Sequence, residues 1–123
     1  MKLRYKDLKL QPLRIPMRWT VEHNRFYEVE PDRQLEIEGY EAGNGMQIFD
    51  DDLLVLSYNN GWMRYTLLLG WQPVYDPEGS FWLKLYKFEE PENLLISYRT
   101  QNKHEIVQKL DFILHEVAEG NIH

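Results

Sequence analysis

The sequence predicts an α+β domain: an antiparallel β-meander sheet of about five to seven strands with one C-terminal α-helix packed on one face. Three observations carry the prediction. Residues 53–85 read as two successive hairpins whose registers, taken from two different turns, put the same apolar side chains on one face. From residue 103 onward the apolar period changes from that of a strand to that of a helix. The 123 residues form a single domain, 1–123, long enough to bury a core without disulfides or metal.

In chain order, residues 1–16 begin with alternating Leu and Lys, and Pro12 and Pro16 limit any regular element, so an edge strand or ordered arm is expected. Charges interrupt every apolar run there, which predicts neither a signal peptide nor a membrane span. With no cysteines, the chain fits a reducing compartment, and a cytoplasmic location is expected. Residues 17–29 carry Trp19, Val21, Phe26, Tyr27 and Val29 around His23-Asn24 and predict a hairpin with a polar tip. Residues 30–45 are polar and punctuated by Pro31, Gly39, Gly43 and Gly45, with a short strand at 35–38, and make the region of greatest expected mobility.

Asn60-Gly61 predicts a two-residue type I′ turn that pairs Tyr58 with Met63, Leu56 with Tyr65 and Leu54 with Leu67. Asp76-Pro77-Glu78-Gly79 predicts a three-residue loop with Gly79 left-handed, pairing Tyr75 with Phe81, Pro73 with Leu83 and Trp71 with Leu85. Pro73 cannot donate to a ladder, so the strand is expected to bend there. In both registers Leu54, Leu56, Tyr65, Leu67, Leu69, Leu83 and Leu85 share a face. Across the turn at 89–93, the strand around 94–99 adds Leu94, Ile96 and Tyr98 to it. Residues 103–119 then place Ile106, Leu110, Ile113 and Val117 on one helical stripe, with Asn102 as N-cap, Glu105 as its capping-box partner and Gly120 at the stop.

The candidate chemistry is thin. Asp50-Asp51-Asp52 is the densest acidic run, but it lacks calcium-loop spacing and reads as a solvated cluster before a hydrophobic strand. His23, His104, His115 and His123 show no metal-ligand spacing and are expected in solvent. Ser80 has no nucleophile elbow, Gly39, Gly43 and Gly45 form no phosphate loop, and the pairs Glu28/Glu30 and Glu36/Glu38 read as solvent-facing strand residues. No catalytic residue, metal or cofactor is therefore predicted.

Two surfaces remain. On the sheet side away from the helix, Trp62, Arg64, Trp82, Lys84, Tyr86, Ser97 and Arg99 are expected to project beside Leu68, Phe88 and Leu95, unless the N-terminal hairpin covers them. Trp, Tyr and Arg together are the composition of binding hot spots. On the outer face of the helix, Phe112 stands among Glu105, Gln108, Glu116 and Glu119, an aromatic anchor with an acidic rim. Twenty acidic against fourteen basic side chains give a net charge of −6, which disfavours general nucleic-acid binding and suits a basic partner.

The leading expectation is a non-catalytic protein-binding module of the immunity, antitoxin-like or accessory kind, with the helix face narrowly preferred. The alternatives are a small-ligand carrier or small enzyme with a pocket between the N-terminal hairpin and the sheet, and a single-stranded nucleic-acid binder stacking bases on Trp62, Trp82 and Tyr86 beside Lys84 and Arg99.

Overall fold

The computed structural model describes residues 2–32, 34–38, 45–88 and 93–122. Period-two alternation builds the main sheet. It contains β2 (Trp19–Asn24), β4 (Leu54–Asn59), β5 (Arg64–Gln72), β6 (Ser80–Lys87) and β7 (Leu94–Thr100), all antiparallel, in the order β2-β4-β5-β6-β7. Leu54, Leu56, Tyr65, Leu67, Leu69, Leu83 and Leu85 all point to one face and are buried, as the alternation requires. The α+β architecture expected from the sequence, an antiparallel sheet with one C-terminal helix packed on it, is the one observed.

Both hairpin registers differ from expectation. Leu54 pairs with Leu69 rather than Leu67, and Tyr58 with Tyr65, which leaves 60–63 as the loop. A type I′ turn needs positive φ at both central residues, and only Gly61 has it, at 91°. The Asn60 side chain instead accepts from the N–H groups of Trp62 and Met63 at 2.9 and 2.8 Å, and Asn59 Oδ1 accepts from Gly61 N–H at 2.8 Å, so a wider, side-chain-capped turn wins.

In the second hairpin Trp71 pairs with Phe81 rather than Leu85, and 73–79 is loop. β5 ends before Pro73, and Trp71 Nε1 donates to the Asp76 carbonyl at 2.8 Å, folding the loop back over the indole. Gly79 is not left-handed. A Cβ there would lie 2.6 Å from Trp71 Nε1, so close approach is what selects glycine, while Tyr75 takes the positive φ of 63°. Both registers are displaced by an even number of residues, and faces therefore survive. At β7, Ile96 and Tyr98 join the face of Leu85 and Leu83 as expected, but a bulge sets Leu94 opposite Tyr86, and Leu94 is exposed. Residues 89–92 of the preceding turn lie outside the described residues.

Helix α1 (Lys103–Ala118) lies on the apolar face against β6 and β7, burying Ile106, Leu110, Ile113, Leu114 and Val117. Asn102 Oδ1 accepts from Glu105 N–H at 3.0 Å. The return half of the capping box is relayed: Asn102 N–H donates to Thr100 Oγ1, whose hydroxyl donates to Glu105 Oε2 at 2.7 Å. At the other end Gly120 has φ 79°, Gly120 N–H donates to Val117 O and Asn121 N–H to Glu116 O, a Schellman stop.

The expected N-terminal hairpin does not form. Trp19–Asn24 pairs with β4 and lengthens the sheet, while Tyr27 bridges Leu10 instead of returning along β2. Hydrogen bonds explain the departure. Arg25 N–H donates to Leu53 O, and the 26–28 segment turns to pair with the arm through Gln11 N–H to Phe26 O and Glu28 N–H to Lys9 O. The arm adds β1 (Lys2–Arg4), parallel to β3 (Glu36–Glu38). Phe26, Phe49, Trp71 and Phe81 form an aromatic cluster, with Trp71 and Phe81 ring centroids 4.9 Å apart. Trp19 Nε1 ties β2 to the helix through Leu114 O at 3.0 Å. Of the segment expected to be mobile, residues 33 and 39–44 lie outside the described residues.

Candidate functional site

Because β2 extends the sheet instead of folding over it, the sheet's second face is not covered by an N-terminal hairpin. Its side chains alternate with the core positions: Ser57, Arg64, Thr66, Leu68, Trp82, Lys84, Tyr86, Ser97 and Arg99, all half-buried or exposed. At one end the side chains converge. Trp82 and Arg99 are cross-strand partners, and the Arg99 guanidinium carbon lies 4.9 Å from the indole centroid. Lys84 Nζ lies 3.7 Å from the same ring. Trp82 Nε1 donates to Ser97 Oγ at 2.9 Å, and Arg99 Nε and Nη2 donate to Ser80 Oγ at 3.2 and 3.1 Å. Each cation–π contact contributes on the order of 0.5–1 kcal/mol while exposed and more if a partner displaces the water. Ser80 is thus an acceptor for arginine.

The other members of this candidate surface lie apart from the cluster. Trp62 is 89% exposed in the 60–63 loop, and Arg64, opposite Asn59, begins β5. Gly70 is the residue opposite Trp82, so Arg64 stands roughly 20 Å along the strand from the cluster, with Tyr86 opposite Thr66 in between. Thr66 Oγ1 is buried without a hydrogen-bond partner among the described residues.

A depression of about 180 Å3 beside Trp82 is lined by Asp51, Asp52, Leu68, Gly70, Gln72 and Lys84 as well. The Asp51 carboxyl is raised above the ordinary carboxylate range, first by its hydrogen bond with the Asp50 side chain, then by burial and by the charges of Asp52 and Asp50. Asp50 itself faces Arg25 at 3.6 Å. Among the described residues no group of three or more His, Asp or Glu is placed to hold a metal ion.

The helix's outer face is as exposed as its period requires: Phe112 is 56% accessible. Its surround is not purely acidic, since Lys109 Nζ lies 5.7 Å from the Phe112 ring and 5.3 Å from that of Tyr98. Glu105 is occupied by the Thr100 hydroxyl, Glu116 is half-buried, and Glu119 sits at the C-cap. The N-terminal arm packs on the opposite flank of the helix, where Arg14 pairs with Asp111 at 2.9 Å.

The histidines and glutamates depart from a solvated reading in places. His23 Nε2 lies 2.9 Å from Asp52 O and His115 Nδ1 lies 2.8 Å from Asp111 O, while His104 is exposed and His123 lies outside the described residues. Glu28 and Glu30 are not on a strand; their charges act on Lys103, a residue the sequence reading passed over. Lys103 is buried, and burial holds its ammonium below the usual lysine range against the opposing pull of Glu30 and Glu28. Its spacing was a usable signal, because it precedes Ile106, Val107 and Leu110 by helical steps.

Compared with protein-family models, with curated proteins and with solved structures, the chain matches none. No helix of the described residues is long and apolar enough to cross a membrane.

Proposed function

We propose that the chain is a non-catalytic, cytoplasmic protein-binding module that docks through the open face of its sheet, centred on Trp82, and that its partner presents carboxylates there. One observation supports this above the others: the Trp82 ring carries the Lys84 ammonium and the Arg99 guanidinium, and neither cation has a carboxylate partner among the described residues. In a chain of net charge −6, a surface of unpaired cations around an indole is complementary to an acidic partner, and a rigid strand pair holds it ready. The basic partner expected for the helix face has weaker support, because Lys109 stands inside that acidic surround.

The two alternatives have less support. Trp19–Asn24 pairs with β4 and forms no hairpin of its own, so the pocket expected between such a hairpin and the sheet gains no support. A base-stacking platform of Trp62 with Trp82 would have to span two residues at opposite ends of the face, and Lys84 lies over the Trp82 ring.

Affinity capture with the wild-type chain, Trp82→Ala, Arg99→Glu and Phe112→Ala tests the proposal. A partner held by wild type should be lost or weakened by more than about 1 kcal/mol with the first two variants and retained with the third. Loss with Phe112→Ala alone would move the docking site to the helix, and equal capture by all four would refute a role for either surface.

A further inference from the structure

We infer that the edge strand β7 receives an extended, carboxylate-bearing segment of the partner protein as a sixth strand of the sheet, which rests on the protein-binding function proposed above. The sheet order ends at β7, and among the described residues no backbone hydrogen bond reaches its outer edge. Its pairing with β6 is regular over residues 96–100, the bulge being confined to the Leu95 end. Those residues include no proline, and their one charged side chain, Arg99, lies over the Trp82 ring. The opposite edge, β2, is broken in mid-strand by a register shift between Val21 and His23. Of the two edges of the main sheet, β7 is therefore the one that offers a partner strand an uninterrupted row of N–H and C=O groups without backbone partners among the described residues.

An added strand continues the alternation of the sheet. One set of its side chains lies beside Ile96 and Tyr98, where the Lys109 ammonium of the helix stands 5.3 Å from the Tyr98 ring. The other set lies beside Ser97 and Arg99, next to the Trp82 cluster. The occupant's chemistry follows: apolar residues toward Ile96 and Tyr98, carboxylates toward Arg99. A second copy of the chain does not fit, because β7 itself contains no carboxylate to meet Arg99 and each copy carries a net charge of −6.

The test is amide NMR of the labelled chain with three synthetic peptides of about eight residues, a typical strand length. The first alternates Glu with Val and Tyr, the second has the same side chains on an N-methylated backbone, and the third has Lys in place of Glu. The first should shift the β7 amides and slow their hydrogen exchange, the other two should bind at least about tenfold more weakly, and Arg99→Glu should reverse the order of the Glu and Lys peptides. If the N-methylated peptide binds as well as the first, side chains alone make the contact, and strand addition fails while the protein-binding function stands. If no peptide perturbs β7 or the open face, both fail. If the chain pairs with itself through β7, the occupant is a second copy and the proposed partner is wrong.

Discussion

Leu110→Ala and Phe112→Ala, two residues apart on one helix, should differ in stability by a factor of several. Leu110 is 0% exposed, packed between the helix and the sheet with Ile106, Ile113 and Leu83 in the same core, whereas Phe112 is 56% exposed. Truncating Leu110 removes about three methylene equivalents, or roughly 2.4 kcal/mol of transfer free energy at about 0.8 kcal/mol each. The cavity left in a close-packed layer adds to this, for a total of about 3–4 kcal/mol, within the range for leucine truncations in cores. At this chain length that lowers the melting temperature by roughly 12–15 °C. Phe112→Ala removes a ring that water already reaches and should cost less than about 1 kcal/mol. Urea titration followed by helix ellipticity measures both. A Leu110→Ala loss below about 0.5 kcal/mol, or equal losses for the two variants, would mean that the helix presents a different face to the sheet.

Asn102→Ala deletes the bond to Glu105 N–H and leaves the Thr100 relay without its cap, and should lower stability by about 1 kcal/mol in the same assay, with the helix otherwise intact. The pH dependence of stability should carry the signature of Lys103. Its folded-state pKa lies below 10.5, so between that value and 10.5 the unfolded chain binds more protons and stability rises with pH. Lys103→Met should flatten that rise relative to wild type, and an unchanged difference curve would show that the ammonium is solvated. Tyr65 works in the opposite direction at higher pH: burial, with a smaller contribution from Tyr58, raises its pKa above 10, so stability falls once the unfolded chain ionises there. Dialysis against a chelator should leave the melting temperature unchanged, and a drop restored by one divalent ion would make Asp50, Asp51 and Asp52 a metal site after all.

Much of the Trp82 surface was legible in advance, because side chains two apart on a strand share a face whatever the strand's neighbours do. Alternation assigns Trp82, Lys84, Tyr86, Ser97 and Arg99 to one face, and they lie on it. Which of them touch was not legible. That Trp82 meets Arg99 depends on the β6–β7 register, and that Trp62 stands at the far end of the sheet depends on two loops set by contacts that a pairwise turn rule omits: Asn60 capping its own loop and the Trp71 indole holding the 73–79 loop. The role of Lys109 is not encoded locally, because it comes from Tyr98 on another element.

By itself, then, the sequence determined what depends on local periodicity and local caps. It set the two faces of β4 to β6, the span and buried stripe of α1, and both helix ends at Asn102 and Gly120. These features survive errors of register because a displacement by an even number of residues moves no side chain across the sheet. Only the tertiary structure decided the first 50 residues, where β1 pairs in parallel with β3 and β2 reaches past an intervening segment to β4. Those pairings join residues about 35 apart in the chain, as in Trp19 with Tyr58 and Lys2 with Glu36, and no turn or period within either strand encodes them. Among the described residues no N-terminal hairpin covers the second face, because β2 took the edge of the sheet beside β4 instead of pairing within the 17–29 segment.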